Sequence, residues 1–351
     1  MTADLTLRIE HASGETSRLV VPTPVAIDED DVTLASIRID RALDRVARCE
    51  ARVFRPDWLD VLDKVDRRND EAFVDTDDGE TIFGGRLDDW QFEAVTVSVL
   101  IDSFEVDALD SEPPVEFTRT GVADDKIVAD VLNDVDDASP IAPAAIERTT
   151  DDIDVEESHV SAGKILRRLA RDTGAELRYQ ADGGVDYLAT RGTVRAEPLR
   201  PSTGAIVEEP RIREALREET TGVRVVSDED PTLFEEAISI ETSPGERQKF
   251  KIDRIDSTSS SRLQARATRL ANEIADAPEY LEIETTVDPL ALNSGLAVGD
   301  SFPVILPAFG IDERLRVLEA TRRIDNAGEL IDVVLSNRSE TMSGRDGPLA
   351  V

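Results

Sequence analysis

The sequence predicts a mainly β chain with an α+β insert, in which two β-barrel units flank a small α/β unit. Three observations carry this. Apolar residues alternate with polar ones at a period of two through the first third of the chain, helical spacing then takes over from Asp124, and alternation returns after a long alanine- and arginine-rich helix. The boundaries read as 1–115 for the first barrel, 116–197 for the α/β unit, 198–340 for the second barrel with an inserted helix over 259–276, and 341–351 for a flexible tail.

In the first unit, Leu5, Leu7 and Ile9 alternate with Thr6, Arg8 and Glu10, and a Ser13-Gly14 turn followed by Arg18 to Pro22 completes a hairpin. Val32 to Asp40 and Val46 to Phe54 read as strands. Pro56 opens a short helix bearing Trp58, Leu59, Leu62 and Val65 at helical spacing. Phe73-Val74, a turn over Asp77 to Glu80 and Thr81 to Leu87 form the next hairpin, and Val95, Val97, Val99 and Ile101 alternate cleanly. About seven short strands with one helix predict a closed or nearly closed barrel.

The pattern changes after Pro113-Pro114. Asp124 to Val135 places Ile127, Val128, Val131 and Leu132 on one helical face, while Ser161 and Gly174 bracket a second helix as N-cap and C-cap. Leu177 to Gln180 and Val185 to Ala189 form a hairpin around Asp182-Gly183-Gly184. From Pro198, strands are expected at Thr221 to Val226, Glu236 to Glu241 and Phe250 to Asp256. The closing helix then leads to a strand at Tyr280 to Val287, a turn at Leu296-Ala-Val-Gly-Asp300, a strand at Ser301 to Leu306, and strands at Arg314 to Arg323 and Glu329 to Ser336.

Composition narrows the function. Of 351 residues, 75 are acidic and 40 basic, a net charge of -35, and only five of the basic residues are lysine. This is the profile of a protein adapted to molar salt, where a Debye length of roughly 3 Å screens the repulsion among carboxylates. The acids are interleaved with periodic apolar residues, so the chain does not read as disordered. The charge argues against nucleic-acid binding as a main role, which needs a basic patch. Cys49 is the sole cysteine, excludes an internal disulfide, and alternates with Ala47, Ala51 and Val53 as a buried apolar residue would. No leader precedes the first strand and no apolar run suffices to span a bilayer, so synthesis in a cytoplasm without stable membrane insertion is expected.

No set of residues is assigned to catalysis, cofactor binding or metal ligation. His11, at a hairpin turn, and His159, beside a helix cap, are the only histidines and are expected at the surface. The stretch Asp75 to Glu80 resembles a calcium loop superficially, but its glycine falls one place early and no glutamate follows at the required offset, so it reads as a hairpin turn. Gly84-Gly85 and Gly183-Gly184 lack the context of phosphate loops. Acid pairs are too abundant to single one out for glycosidase chemistry, and Trp58 and Trp90 are few aromatics for a sugar cleft. The chain therefore reads as a non-enzyme.

Four stretches carry a family resemblance: Gly79 to Leu87, Val95 to Leu109, Ser161 to Ala189, and Leu263 to Leu335 with its Gly299-Asp300 turn. In that order they resemble the baseplate, or tail, hub proteins of tailed viruses, which are related to the hubs of contractile tails and injection machines. The resemblance implies tube-like barrels and a homotrimer. Three subunits would present six barrels to a sixfold tail tube, adapting it to threefold tip proteins. It further implies contact with a distal tail or tail tube protein, with the tape measure protein and with tip or receptor-binding proteins, and DNA only in transit through a central channel. The expected setting is the virion of a virus infecting a halophilic, haloarchaeal host, assembled in the host cytoplasm. A hub of a cellular contractile injection system would read the same way. A halophilic carbohydrate-active or carbohydrate-binding β protein, and a hexameric distal tail protein with one barrel per chain, are the other readings.

Overall fold

The computed structural model describes residues 5–21, 37–42, 46–67, 69–76, 78–111, 116–133, 135, 139–150, 153–189, 192–215, 221–239, 248–255, 257–276, 280–292, 295–325 and 328–337. The expected strand residues 32–36, the Pro113-Pro114 boundary, the Ser243 to Gly245 turn and the tail 341–351 lie outside these.

The first β unit comprises β1 (Leu5–Glu10), β2 (Thr16–Val21), β3 (Ile37–Ala42), β4 (Arg48–Phe54), β5 (Glu71–Thr76), β6 (Thr81–Phe92) and β7 (Thr96–Ser103), with the short helix α1 (Arg55–Val61) after β4. Its strands run antiparallel in the order β3-β4-β7-β6-β5-β1-β2. The period-two pattern does what it predicts. Leu7, Ile9, Ile37, Ile39, Cys49, Val53, Val97, Val99 and Ile101 point into one core, capped by the buried indole of Trp58 from α1. Val95 to Leu109 is not all strand, because α2 (Glu105–Asp110) follows β7 and sends Ala108 into the neighbouring core.

That neighbouring core belongs to the α/β unit. Its elements are β8 (Glu116–Val122), α3 (Asp124–Asn133), β9 (Ala142–Ile146), β10 (Ile153–Ser158), α4 (Ala162–Thr173), β11 (Glu176–Tyr179) and β12 (Gly184–Leu188). Strands β8 and β10 pair antiparallel, while β12 pairs antiparallel with β11 and parallel with β9. Phe117, Ile127, Leu166, Leu169 and Tyr187 fill the space between. Gly174 ends α4 at φ 80°, the left-handed C-cap its position predicts.

The remaining elements are β13 (Arg211–Ala215), β14 (Gly222–Ser227), β15 (Phe234–Ile238), β16 (Phe250–Ile255), α5 (Ser260–Asp276), β17 (Tyr280–Val287), β18 (Ser301–Leu306), β19 (Ile311–Asp325) and β20 (Gly328–Ser336). Here the structure departs from expectation. Strands β14 to β16 do not join the second β unit. They form a sheet of their own, with β14 parallel to β16, whose inner face packs under α5 through Val223, Val225, Leu263, Ala267 and Leu270. The second β unit is β13-β17-β20-β19, with β18 added to β19, around Phe302, Val304, Leu315, Val317 and Leu335.

The two β units are continuous. One edge of the fifteen-residue β19 pairs with β18 over Ile311 to Arg316 and then with β3 over Glu319 to Ile324, while its other edge pairs with β20. A bulge between Val317 and Glu319 separates the two stretches. The result is one 12-stranded sheet. The sequence predicts a closed or nearly closed barrel for the first unit, and among the described residues the hydrogen-bonded path does not close. The reason is local: β3 has two edges, and the one that would have to meet β2 is taken by β19.

Candidate functional site

The seam where β19 crosses between units is joined by side-chain bonds along both edges of the strand. On the β3 side, Thr321 Oγ1 donates to Asp40 Oδ1 at 2.6 Å. Across the other edge, Arg322 holds Glu329 through two bonds of 2.7 and 2.8 Å, and Ile324 packs into the first core.

The Val298-Gly299-Asp300 turn supplies the second half. Gly299 adopts φ 95° and donates to Val317 O at 2.8 Å, while Val317 N donates to Asp300 O at 2.8 Å, which seats the turn beside the bulge. The buried Asp300 carboxylate accepts from Thr193 N at 2.7 Å, Ala297 N at 3.1 Å, and Arg195 Nε and Nη2 at 3.0 and 2.9 Å. It thereby stitches the incoming segment 192–195 to β18. Arg316 donates to Gly299 O at 3.0 Å and clasps Glu176 of β11 with both terminal nitrogens, tying the second β unit to the α/β unit. Sequence reading singled out Gly299-Asp300 as a family mark, and the geometry shows what it does.

A second node joins α5 to the α/β unit. Arg262, its side chain 3% exposed, donates through Nε to Asp172 at 2.6 Å and through Nη1 to Glu157 at 3.2 Å. Burial disfavours its charge, but the two carboxylates outweigh that and hold its pKa above the ordinary arginine value. Nothing in the local sequence announced it, since its partners lie 90 and 105 residues away.

The residues weighed for chemistry fall elsewhere. His11 is not at the surface, as expected from its turn. It is buried, with Nδ1 2.7 Å from Asp70 Oδ2 and Nε2 2.8 Å from Ser17 Oγ. Asp70 also accepts from Ala12 N and Asp66 N, so the pair fastens the β1–β2 turn to the start of β5. His159 is exposed, 148 positions from it in sequence. Cys49 is buried, and burial pushes its thiol pKa up, away from nucleophilic use. Asp75 stands beside a hairpin turn. Its partial burial raises its pKa, yet bonds from Arg8 Nε and Thr81 Oγ1, both 2.7 Å, hold it below the ordinary value. Among the described residues, no group of three or more His, Cys, Asp or Glu is arranged to hold a metal ion. Trp58 and Trp90 pack against each other at 5.5 Å in the first unit, and Arg67 covers the Trp90 ring at 3.9 Å, so neither lines a cleft. A Cβ on Gly85 would overlap the Asp102 carbonyl, and one on Gly84 that of Ala181; these glycines allow close backbone approach. No helix among the described residues is long and apolar enough to cross a membrane.

No protein-family model matches the chain, and no curated protein matches its sequence. Solved structures do. The 43 kDa tail protein of prophage MuSo2 from Shewanella oneidensis superposes with a TM-score of 0.62 at 16% identity, over 95% of this chain and 98% of that one. The tail protein from Neisseria meningitidis MC58 gives 0.62 at 13% identity, over 95% and 96%. The chain has the fold of phage tail proteins. The VgrG complex with PdpA from Francisella also matches, at TM-score 0.54 and 8% identity, over 97% of this chain and 54% of that one. The likeness to the first two runs nearly end to end, so the fold as a whole is shared and not merely one of its β units.

Proposed function

We propose that this chain is a non-enzymatic structural hub at the tip of a viral tail, working as a homotrimeric ring. The observation that carries the reading is the single sheet that runs through both β units and ends at β2 and β13 with one edge of each unpaired by any strand among the described residues. Open edges are liabilities that proteins cover, and a ring of copies covers them all by symmetry. Two β units per chain give six in a trimer, which suits a junction between a sixfold tube and threefold tip proteins. The end-to-end likeness to phage tail proteins supports the same assignment.

In this reading the ring meets a distal tail or tail tube protein on one face and tip or receptor-binding proteins on the other. Its channel passes the tape measure protein and then DNA, and acids facing that channel keep DNA from adhering. The protein is made in the host cytoplasm and ends in the virion. The net charge of -35 with five lysines fits a virus of a halophilic, haloarchaeal host.

Light scattering in about 2 M KCl, where surface repulsion is screened, followed by negative-stain imaging, tests the assembly. A trimeric ring with an open centre is the expected result. A monodisperse monomer that binds a polysaccharide would overturn it.

A further inference from the structure

The sheet of β14, β15 and β16 has two faces of opposite standing. Val223, Val225 and Ile255 turn inward under α5. On the outward face Phe234 is 48%, Ile238 46% and Ile252 62% exposed. Strand register brings these side chains together. Arg224 of β14 stands between Glu236 of β15 and Ile252 of β16, and Gly222 stands between Ile238 and Phe250. The Arg224 guanidinium lies over the rings of Phe234 and Phe250, at 4.8 and 5.5 Å, while its Nε donates to Glu236 Oε1 at 2.6 Å. Gly222 lets the Phe250 ring lie close to the sheet, since a Cβ there would meet it at 2.8 Å. The outcome is a flat apolar platform with one ion pair at its centre.

Composition, charge and size together say what fits it. Aromatic, aliphatic and arginine side chains with a single acid are the makeup of an interface core, in a chain where 75 of 351 residues are acidic. Arg224 is balanced by Glu236, and Arg254 at the rim lies 3.3 Å from Asp228, so the platform is neutral while the chain carries -35. Copies meeting through surface that carries the excess acid would repel; copies meeting here do not. The central pair is also self-complementary. A cation and an anion on neighbouring strands, turned about a twofold axis, meet an anion and a cation, so Arg224 of each copy faces Glu236 of the other. Three strands of about five residues span roughly 15 by 17 Å, about 250 Å². A stable complex covers about 800 Å² on each partner, so the platform suits reversible pairing and not a permanent dimer.

We infer that this platform pairs two copies of the chain face to face, sheet on sheet, about a twofold axis. Apolar contact drives the pairing, and the crossed Arg224 and Glu236 charges fix its register. High salt favours it, because the repulsion between the remaining acidic surfaces is then screened. The pairing does not rest on the tail-hub reading and is distinct from any contact that closes a ring.

Sedimentation velocity of the full chain in about 2 M KCl, over a roughly hundredfold range of concentration, tests it. The smallest species reports on the ring, and the rise in mass above it reports on the platform, so the two readings fail separately. The parent's mass is expected to rise with concentration. Arg224→Glu and Glu236→Arg should each weaken pairing by about tenfold or more, because like charges then face each other across the axis. An equimolar mixture of these two variants should pair at least as well as the parent, and the double variant should recover as well. Ile252→Asp should abolish pairing. Lys64→Glu, at an exposed lysine of the first β unit, is the control and should pair as the parent does. Circular dichroism checks that each variant folds. A parent whose mass does not rise, single variants that pair like the parent, or a mixture that pairs no better than its components would each overturn the inference. The last result would mean that the platform meets some other surface.

Discussion

Replacing Arg262 by alanine is the most direct probe of how the units are held together. The guanidinium is buried between α5 and the α/β unit, and its removal strands two carboxylates of unequal resources. Glu157 keeps Arg168, whose Nη1 lies 2.6 Å away. Asp172, with a fully buried side chain, keeps among the described residues only Arg171 Nε at 3.8 Å, too far for a hydrogen bond, and its Oδ1 has no hydrogen-bond partner among them. Breaking a buried pair from one side typically costs about 3–5 kcal/mol. Because one of the two acids retains a partner, the lower end, about 3 kcal/mol, is expected here. Urea unfolding followed by circular dichroism at the helix band reads the loss, since α3, α4 and α5 supply most of the signal. Two further arms make the reasoning refutable. The double variant Arg262→Met, Asp172→Leu removes the uncompensated charge and should recover more than half of the loss. Repeating the measurement in higher KCl should leave the difference unchanged, because buried pairs are poorly screened. A cost under about 1 kcal/mol, or one that vanishes with salt, is the behaviour of a surface pair and would refute the argument.

Three other outcomes are expected. Gly85→Ala forces a Cβ into the Asp102 carbonyl within the paired β6–β7 ladder, so a loss of about 3 kcal/mol or failure to fold is expected from melting curves and folded yield. Asp300→Ala leaves the Thr193 and Ala297 amides and Arg195 without their acceptor, which should cost about 3 kcal/mol and expose segment 192–195 to limited proteolysis; an unchanged cleavage pattern would contradict the stitching role. Arg41→Met removes a cation that burial and the nearby cations of Arg322 and Arg178 disfavour in the fold. The variant should therefore lose less than about 1 kcal/mol in urea unfolding even though it gives up the bond to Ile82 O, and a loss of about 3 kcal/mol would show that the guanidinium is a net stabiliser.

What the sequence disclosed and what it withheld divide along a physical line. Period-two alternation located β1, β4 and β7 and placed Cys49 in the core, and the Gly174 cap ended α4 where the structure ends it, because these signals are local. Strand β9 escaped because its residues Ala142 to Ala145 are exposed, so no apolar alternation marks it. Strands β14 to β16 were recognised as strands and assigned to the wrong sheet. Alternation tells which face a residue takes but not which strand is its neighbour, and a parallel pair such as β14–β16 carries no hairpin turn to announce it. His11 was misjudged for a related reason. Its turn is exposed in sequence terms, yet Asp70, 59 residues on, makes burial of the imidazole favourable. The Arg262 node and the Thr321–Asp40 contact, 281 residues apart, lie at the extreme of this class.

The seam ties the two β units into one continuous sheet. Were the units joined only by a linker, each would turn about it freely, and their relative pose would depend on weak surface contacts. Instead β19 belongs to both. Its residues Glu319 to Ile324 pair with β3 and β20 at once, so rotating one unit against the other would break a ladder along both edges of a single strand. The bulge after Val317 lets the strand bend at the changeover without leaving either sheet, and the Asp300 turn is seated beside it by Gly299 and Val317, where a shear would otherwise begin. Arg316 and Arg262 then brace the α/β unit and α5 against the same frame from two sides. For fixing the angle between two β units, such a shared strand contributes more than larger cores would. Core burial stabilises each unit separately, and only shared hydrogen-bonded backbone fixes their orientation.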